Sequence, residues 1–327
     1  VRGTSAKTIL LLILLGAVLA PREGRPAEAV SLRLDWTIYG AHSPWYLGLD
    51  RGHFAEQGLA LTVKEGSGSA TGVKLIASGD TTFAYLDYTS TALGVARGMP
   101  IKAIFGIQRK GPLAIVSLKE WGIERPQDLV GKKIGTSTGG SGGQLFEAFL
   151  RRNGVPPDKV KLVGYRGGER RTAMLEKQVH GFSGFFTLEV PIMAARNVSI
   201  NVLRFTEWGM NIMGPGVVAN ADTIAKQPDL VRRFLAATSR AWKEARVRPE
   251  EAAAALSRRY PKESAPLLLQ QLKLALDLMD SPQTVGKPIG WMAREDWDEM
   301  QRTFLEIKEI KQAQALERYY TNEFVPE

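Results

Sequence analysis

LRLDWTIYGAHSPWYLGLDRGHFAEQGLAL, residues 32–61, is the stretch on which the fold turns. The apolar run 31–34 stops at Asp35-Trp36-Thr37. A helical pattern covers 45–57, Gly58 closes it, and a second apolar run begins at Leu59. Short runs rich in Leu and Val predict strands, and apolar residues spaced three and four apart predict a helix ended by glycine. A strand, one helix and a second strand form the crossover that joins parallel strands in one sheet.

Working outward, the same grammar repeats. Helices are predicted over 71–78 and 90–97, closed by Gly79 and Gly98, with strands at 59–64, 82–86 and 101–105. A second block gives strands at 114–117, 133–135, 160–164 and 181–185, with helices at 143–152, 170–177 and 188–195. After a strand at 217–219 the chain reads as helices. Over 229–246, Val231, Phe234, Leu235, Thr238, Ala241, Trp242 and Ala245 share one face at the helical period. The pattern predicts two doubly wound α/β lobes, each with a parallel sheet covered on both faces, and a helical C-terminal part packing on the first. The first lobe is expected over 30–113 plus 218–327 and the second over 114–217, with a hinge at the glycine-rich crossings.

The 327 residues are 44% hydrophobic and 24% charged, enough for two domains with cores of their own. There is no cysteine. No disulfide, zinc–thiolate site, thiol nucleophile or lipid-bearing cysteine anchor is therefore expected. Residues 1–29 read as a cleaved signal peptide: Arg2 and Lys7 precede the apolar run 9–20, and Ala27-Glu28-Ala29 supplies the small residues before a cut at Val30. The net charge is +9, near +7 without residues 1–29, and its basic residues are scattered over helices. No nucleic-acid partner is expected.

Chemistry gathers at predicted strand ends. Asp35, Trp36, Tyr39 and His42 follow the first strand, Tyr85 and Asp87 lie at the end of the third, and Phe185 and Glu189 at the end of another. Each aromatic taken singly is a core residue by default. Together, at the carboxyl ends of parallel strands, they face the place where such sheets bind ligands. Trp36, Tyr85 and Phe185 offer stacking faces, and Asp35, Asp87 and Glu189 offer acceptors that fix orientation. Two glycine- and hydroxyl-rich loops open helices. Residues 66–72 carry Ser67 and Ser69, and residues 135–143 carry Thr136, Ser137, Thr138 and Ser141. Each reads either as a tight turn with a capping hydroxyl or as a set of donors at a helix N-terminus. Gly139-x-Ser141-x-Gly143 also fits a nucleophile elbow, for which His180 is the sole following histidine. His42, His53 and His180 are not spaced as metal ligands, and no metal or cofactor is expected.

Leu34-Asp35-Trp36-Thr37, His42, the run Tyr46 to Leu59, Gly98 to Ala103 and Asp128 to Gly135 resemble landmarks of the NMT1/THI5-like proteins. These are relatives of the nitrate, sulfonate and taurine binding components of ABC importers. The resemblance covers about residues 31–310. It implies the type II periplasmic binding protein fold and a periplasmic monomer. Such a protein closes on a small solute and delivers it to a permease and its ATPase. Asp-Trp-Thr looks most like the branch that binds the thiamine pyrimidine precursor, with Trp36 stacking on the ring. An alkanesulfonate or nitrate-type anion is the alternative ligand, and a pyrimidine-processing or hydrolytic enzyme in the same cleft is the alternative of another class. Two departures stand out: Ile38-Tyr39 replaces the branch's Pro-Asn, and the cysteine-rich stretch of the yeast relative is missing. The chain is accordingly expected not to be an enzyme.

Overall fold

The computed structural model describes residues 26–138 and 140–327. The expected signal peptide lies outside the described residues except for its last four positions. There the first strand, β1 (Glu28–Arg33), already runs, and Glu28 and Ala29 pair with Leu59 and Ala60 of β2 (Leu59–Lys64). A cut before Val30 would therefore remove two paired residues from β1, together with the ion pair of Glu28 to Arg233.

The remaining strands are β3 (Phe83–Asp87), β4 (Ile101–Gly106), β5 (Leu113–Leu118), β6 (Lys133–Ser137), β7 (Lys161–Tyr165), β8 (Gly181–Phe185), β9 (Ile200–Arg204) and β10 (Pro215–Asn220). They form two five-stranded sheets, in the orders β2-β1-β3-β10-β4 and β7-β6-β8-β5-β9. The elements around each sheet make one lobe, so the doubly wound two-lobe α/β architecture holds.

Wholly parallel sheets were the expectation, and this is corrected. β10 runs antiparallel to β3 and β4, and β5 runs antiparallel to β8 and β9. The cause is the crossing of the chain. Parallel strands of both sheets end at the gap between the lobes, so a strand that enters from the other lobe starts at that gap and must run the opposite way.

Local sequence explains most elements. In β3, Phe83 and Tyr85 point into one apolar cluster and Ala84 and Leu86 into another, as the two-residue period of a strand requires. The helix expected over 45–57 divides into Ser43–Asp50 and His53–Glu56, because Gly52 between them has φ 72°. That left-handed conformation ends a helix and is cheap only for glycine. Strand β9 was not anticipated; it is an edge strand whose Asn201 and Arg204 blur the apolar alternation.

The long helix Pro228–Val247 buries all seven residues of its predicted face. Phe234 stacks on Phe83 with ring centroids 3.9 Å apart, and Trp45 packs beside it. Truncating a phenylalanine at such a site costs about 3–5 kcal/mol. The helical tail also reaches the second lobe. Leu278 packs with Phe186 and Ala114, and Arg152 pairs with Glu299 and Glu306 on the helix Arg294–Glu306. The hinge crossing after β4 is held by Arg109, which is buried and bonds the carbonyls of Met279, Pro288 and Trp291 and the carboxylate of Asp280.

Candidate functional site

A cavity, partly open to solvent, lies between the lobes at the carboxyl ends of β1, β3, β6 and β8. This is where the geometry of open α/β sheets puts a ligand. The first lobe lines it with Asp35, Trp36 and Tyr39 after β1, Gly68 and Ser69 at a helix start, and Asp87 at the end of β3. From the second lobe come Leu113, Thr136, Ser137, the turn Gly140–Gly142, Arg170, Ser183, Gly184, Phe185 and Leu188.

On the first wall, one carboxylate is fully engaged and the other is not. Asp35 accepts from His42 Nε2 at 2.7 Å on Oδ1 and from the Tyr39 hydroxyl at 3.3 Å on Oδ2. The Tyr39 N–H points at His42 Nδ1, 3.4 Å away, so Nδ1 carries the lone pair and Nε2 the proton donated to Asp35. Burial, and then the charge of Asp35, push the Tyr39 hydroxyl well above the usual tyrosine value, which keeps it a donor. Asp87 caps the helix Tyr88–Ala96, its Oδ1 accepting the N–H groups of Thr89 and Ser90. No donor among the described residues pairs with its Oδ2. Burial pushes this carboxyl up to about 7, against the hydrogen bonds from Thr89 and Ser90, with the charge of Asp35 adding to the rise.

On the second wall, Arg170 is nearly spent on the protein itself. Its guanidinium donates to Ser183 O, Ser137 Oγ, Gly167 O and Glu189 Oε1, four of its five N–H groups. Burial pulls its pKa below the ordinary arginine value, and the adjacent Glu189 opposes that. Glu189 is wholly buried, and Arg171 takes its second oxygen at 2.7 Å. The Ser183 hydroxyl donates to Thr136 Oγ1, which leaves the Thr136 proton for a guest.

The structure brings Asp35, Trp36, Tyr39, Ser69, Asp87, Thr136, Ser137, Ser141 and Phe185 to this one cavity. Five other expected residues stand elsewhere. Ser67 is exposed and does not line the cavity, and Thr138 is exposed and bonds the Tyr165 carbonyl. His42 is buried behind Asp35. Tyr85 shares the inner face of β3 with Phe83 and packs edge-on to His42 and Trp45, so its ring belongs to the core. Glu189 bridges two arginines and does not line the cavity. The loop at 66–68 is chiefly a tight turn: its Gly66 and Gly68 N–H groups bond the carbonyls of Trp36 and Asp35. A Cβ on Gly66 would stand 1.9 Å from the Leu34 carbonyl oxygen.

The nucleophile-elbow alternative loses its base. His180 bonds the Lys133 N–H and packs on Trp121, at the start of β6, whereas Ser141 follows the end of that strand. Gly139 of that motif lies outside the described residues. Sequence reading missed Arg170, Leu113, Ser183 and Leu188. For Arg170 a signal existed, since it opens a predicted helix inside the charged run Glu169-Arg170-Arg171, yet nothing local says which arginine turns inward.

Comparison with known proteins places this geometry. A "4-amino-5-hydroxymethyl-2-methylpyrimidine phosphate synthase" from Legionella pneumophila is 24% identical over 302 residues, 91% of this chain and 92% of the relative. The "Riboflavin-binding protein RibY" of Chloroflexus aurantiacus is 24% identical, covering 97% of this chain and 96% of its own length. Among solved structures, the periplasmic aliphatic sulphonate binding protein SsuA of Escherichia coli superposes with a TM-score of 0.69 at 16% identity, over 89% of this chain and 91% of that one. The fold is thus that of periplasmic binding proteins. The expectation that the chain is not an enzyme is corrected by the first comparison: a relative matched along nine-tenths of both chains bears the name of a synthase. The sequence profile described as NMT1/THI5 like matches residues 40–252, and the chain belongs to that family.

Proposed function

We propose that this chain is the solute-binding component of an ABC importer. It takes a small planar nitrogen heterocycle of pyrimidine size into the cleft between its two lobes and presents it to a permease and its ATPase from the periplasmic side. The observation that carries this reading is the pairing, on one cavity, of aromatic walls with a carboxylate oxygen that has no donor among the described residues. Trp36 and Phe185 border the cavity with flat apolar surface, and Asp87 Oδ2 is an acceptor suited to a ring N–H or amino group. Thr136 and Ser141 give the far end hydroxyls for a ring nitrogen or hydroxyl substituent. The names of two relatives, a pyrimidine phosphate synthase and a riboflavin-binding protein, both denote nitrogen heteroaromatic rings.

An anion such as a sulfonate is the rival guest, since the helix Ser141–Arg152 begins at the cavity beside Arg170. Electrostatics opposes it. Asp35 and Asp87 face the same space, and Glu189 offsets one of the two positive charges of Arg170 and Arg171. The deciding experiment is ligand-dependent thermal stabilisation across aminopyrimidines, flavins, alkanesulfonates and nitrate, with mass spectrometry of the bound compound after incubation. Stabilisation by heterocycles, with the compound recovered unchanged, supports the reading. Stabilisation by sulfonates or nitrate alone overturns the ligand class, and conversion of the compound assigns the cavity to the synthase side of the family.

A further inference from the structure

The helix Ala265–Leu276 belongs to neither sheet, yet it touches both walls of the cavity. It packs on the helix Pro249–Arg259 and on the turn Gly40–His42 of the first lobe, and on the helix Phe186–Ala195 of the second. Gln271 stands at the centre of this contact and is 2% exposed. Its Oε1 accepts the Gly40 N–H at 2.7 Å, and its Nε2 donates to the Leu188 carbonyl at 3.4 Å. The Gly40 N–H is a donor, so only the amide oxygen can face it. That fixes the orientation of the side chain and turns the nitrogen toward Leu188.

Each partner adjoins the cavity. Gly40 follows Tyr39, and Leu188 lines the cavity itself. Around the amide, Tyr39 and Ala41 of the first lobe, Leu188 of the second and Ala275 of the bridging helix form one apolar cluster, with Trp36, Phe185 and Ile192 against it. Gly40 is what lets the helix come so close: a Cβ there would lie 2.1 Å from the Leu268 carbonyl oxygen and 2.5 Å from Gln271 Cβ.

We propose that the Gln271 amide is an inter-lobe clasp, a positioning residue outside the cavity that ties the Tyr39–Gly40 wall to the Leu188 wall and favours the closed arrangement of the cleft. Opening must part the amide nitrogen from Leu188 and expose the apolar cluster around it. Closing restores a partner to a donor that otherwise has none in that buried place. One net hydrogen bond of this kind shifts such an equilibrium by about 2- to 10-fold.

The chain lacks cysteine, so a Lys74→Cys/Glu147→Cys pair, exposed on a helix of each lobe, takes spin labels at those two positions alone. Pulsed dipolar spectroscopy without added solute then reads the inter-lobe distance. A short-distance population is expected in the parent pair. Gln271→Glu keeps the acceptor for Gly40 but sets an oxygen against the Leu188 carbonyl, and is expected to reduce that population about 10-fold. Gln271→Met removes both bonds and should reduce it less, about 3-fold. Should Gln271→Glu fail to fold by circular dichroism, Gln271→Met and Gly40→Ala decide the matter by the same reading. A parent that is wholly open, or folded variants that match the parent, overturns the clasp.

A second arm rests on the proposed solute binding: release of a bound heterocycle should quicken about 3- to 10-fold in Gln271→Met with the association rate unchanged. If no compound in the panel binds, the ligand reading fails while the distance measurement still judges the clasp.

Discussion

The guanidinium of Arg170, from the second lobe, lies over the ring of Trp36, from the first, 5.8 Å from its centroid. The two residues close the cavity from opposite walls, and they do so unequally. Arg170 is anchored by four hydrogen bonds within its own lobe, whereas Trp36 is partly exposed and carries no such anchor. One supports the wall and the other is free to meet a guest.

Trp36→Ala should therefore weaken binding of a heterocyclic solute without harming the fold. Loss of one aromatic stacking face costs about 1–3 kcal/mol, or roughly 5- to 150-fold in Kd. Isothermal titration gives the affinity. The midpoint of urea unfolding without solute should stay near the parent value.

Arg170→Met should do the reverse and destabilise the protein. It leaves Glu189, wholly buried, with Arg171 alone, and it strips Ser137 Oγ of a donor. Breaking a buried ion pair from one side costs about 3–5 kcal/mol, and the remaining Arg171 contact places the expectation near the lower figure. Adding Glu189→Gln removes the stranded charge and should recover part of the loss. Denaturant midpoints of the single and double variants test this.

Asp87 makes a pH prediction whose sign is unusual for a carboxylate. Its folded pKa, about 7, lies above the ordinary value of 3.8. Between those two values the folded state holds a proton that the unfolded state has lost, so stability falls as pH rises through this window. A shift of about three units corresponds to at most roughly 4 kcal/mol by pH 7 and above. Burial likewise pushes Asp296 up to about 6, which adds a smaller loss in the same direction. Asp87→Asn keeps an N-cap acceptor for Thr89 and Ser90 but cannot ionise. Melting temperatures from pH 5 to 8 should show the parent losing stability relative to Asp87→Asn, with the gap widening toward pH 8.

How much of this was legible beforehand divides along a physical line. The strand–helix alternation from β1 to β8 was legible because it rests on local period and on glycine ends. β2 and β8 stand at their predicted residues, and Gly79 and Gly98 do adopt the positive φ that ends a helix. Asp35, Trp36, Tyr39, Asp87, Thr136 and Phe185 could be placed at the cavity because strand ends are local facts, and parallel sheets gather those ends in one place. Tyr85 and Glu189 sit only a few positions from such ends, yet they face inward. Which side of a strand or helix meets the core depends on what packs there, and that information lies in Phe83, Trp45 and Arg170 rather than in their own neighbours.

The amino-acid sequence by itself thus determined the class of fold, the order of its elements and the loops that carry its chemistry, since each follows from interactions within a few turns of chain. Tertiary structure alone decided that β10 enters between β3 and β4, that Arg170 turns inward on Glu189, and that Gln271 meets Gly40 across 231 residues of chain. Those outcomes rest on burying polar groups against distant partners. The energy of a buried amide or guanidinium is set by the donors and acceptors around it once the chain is folded, and no window of sequence contains them.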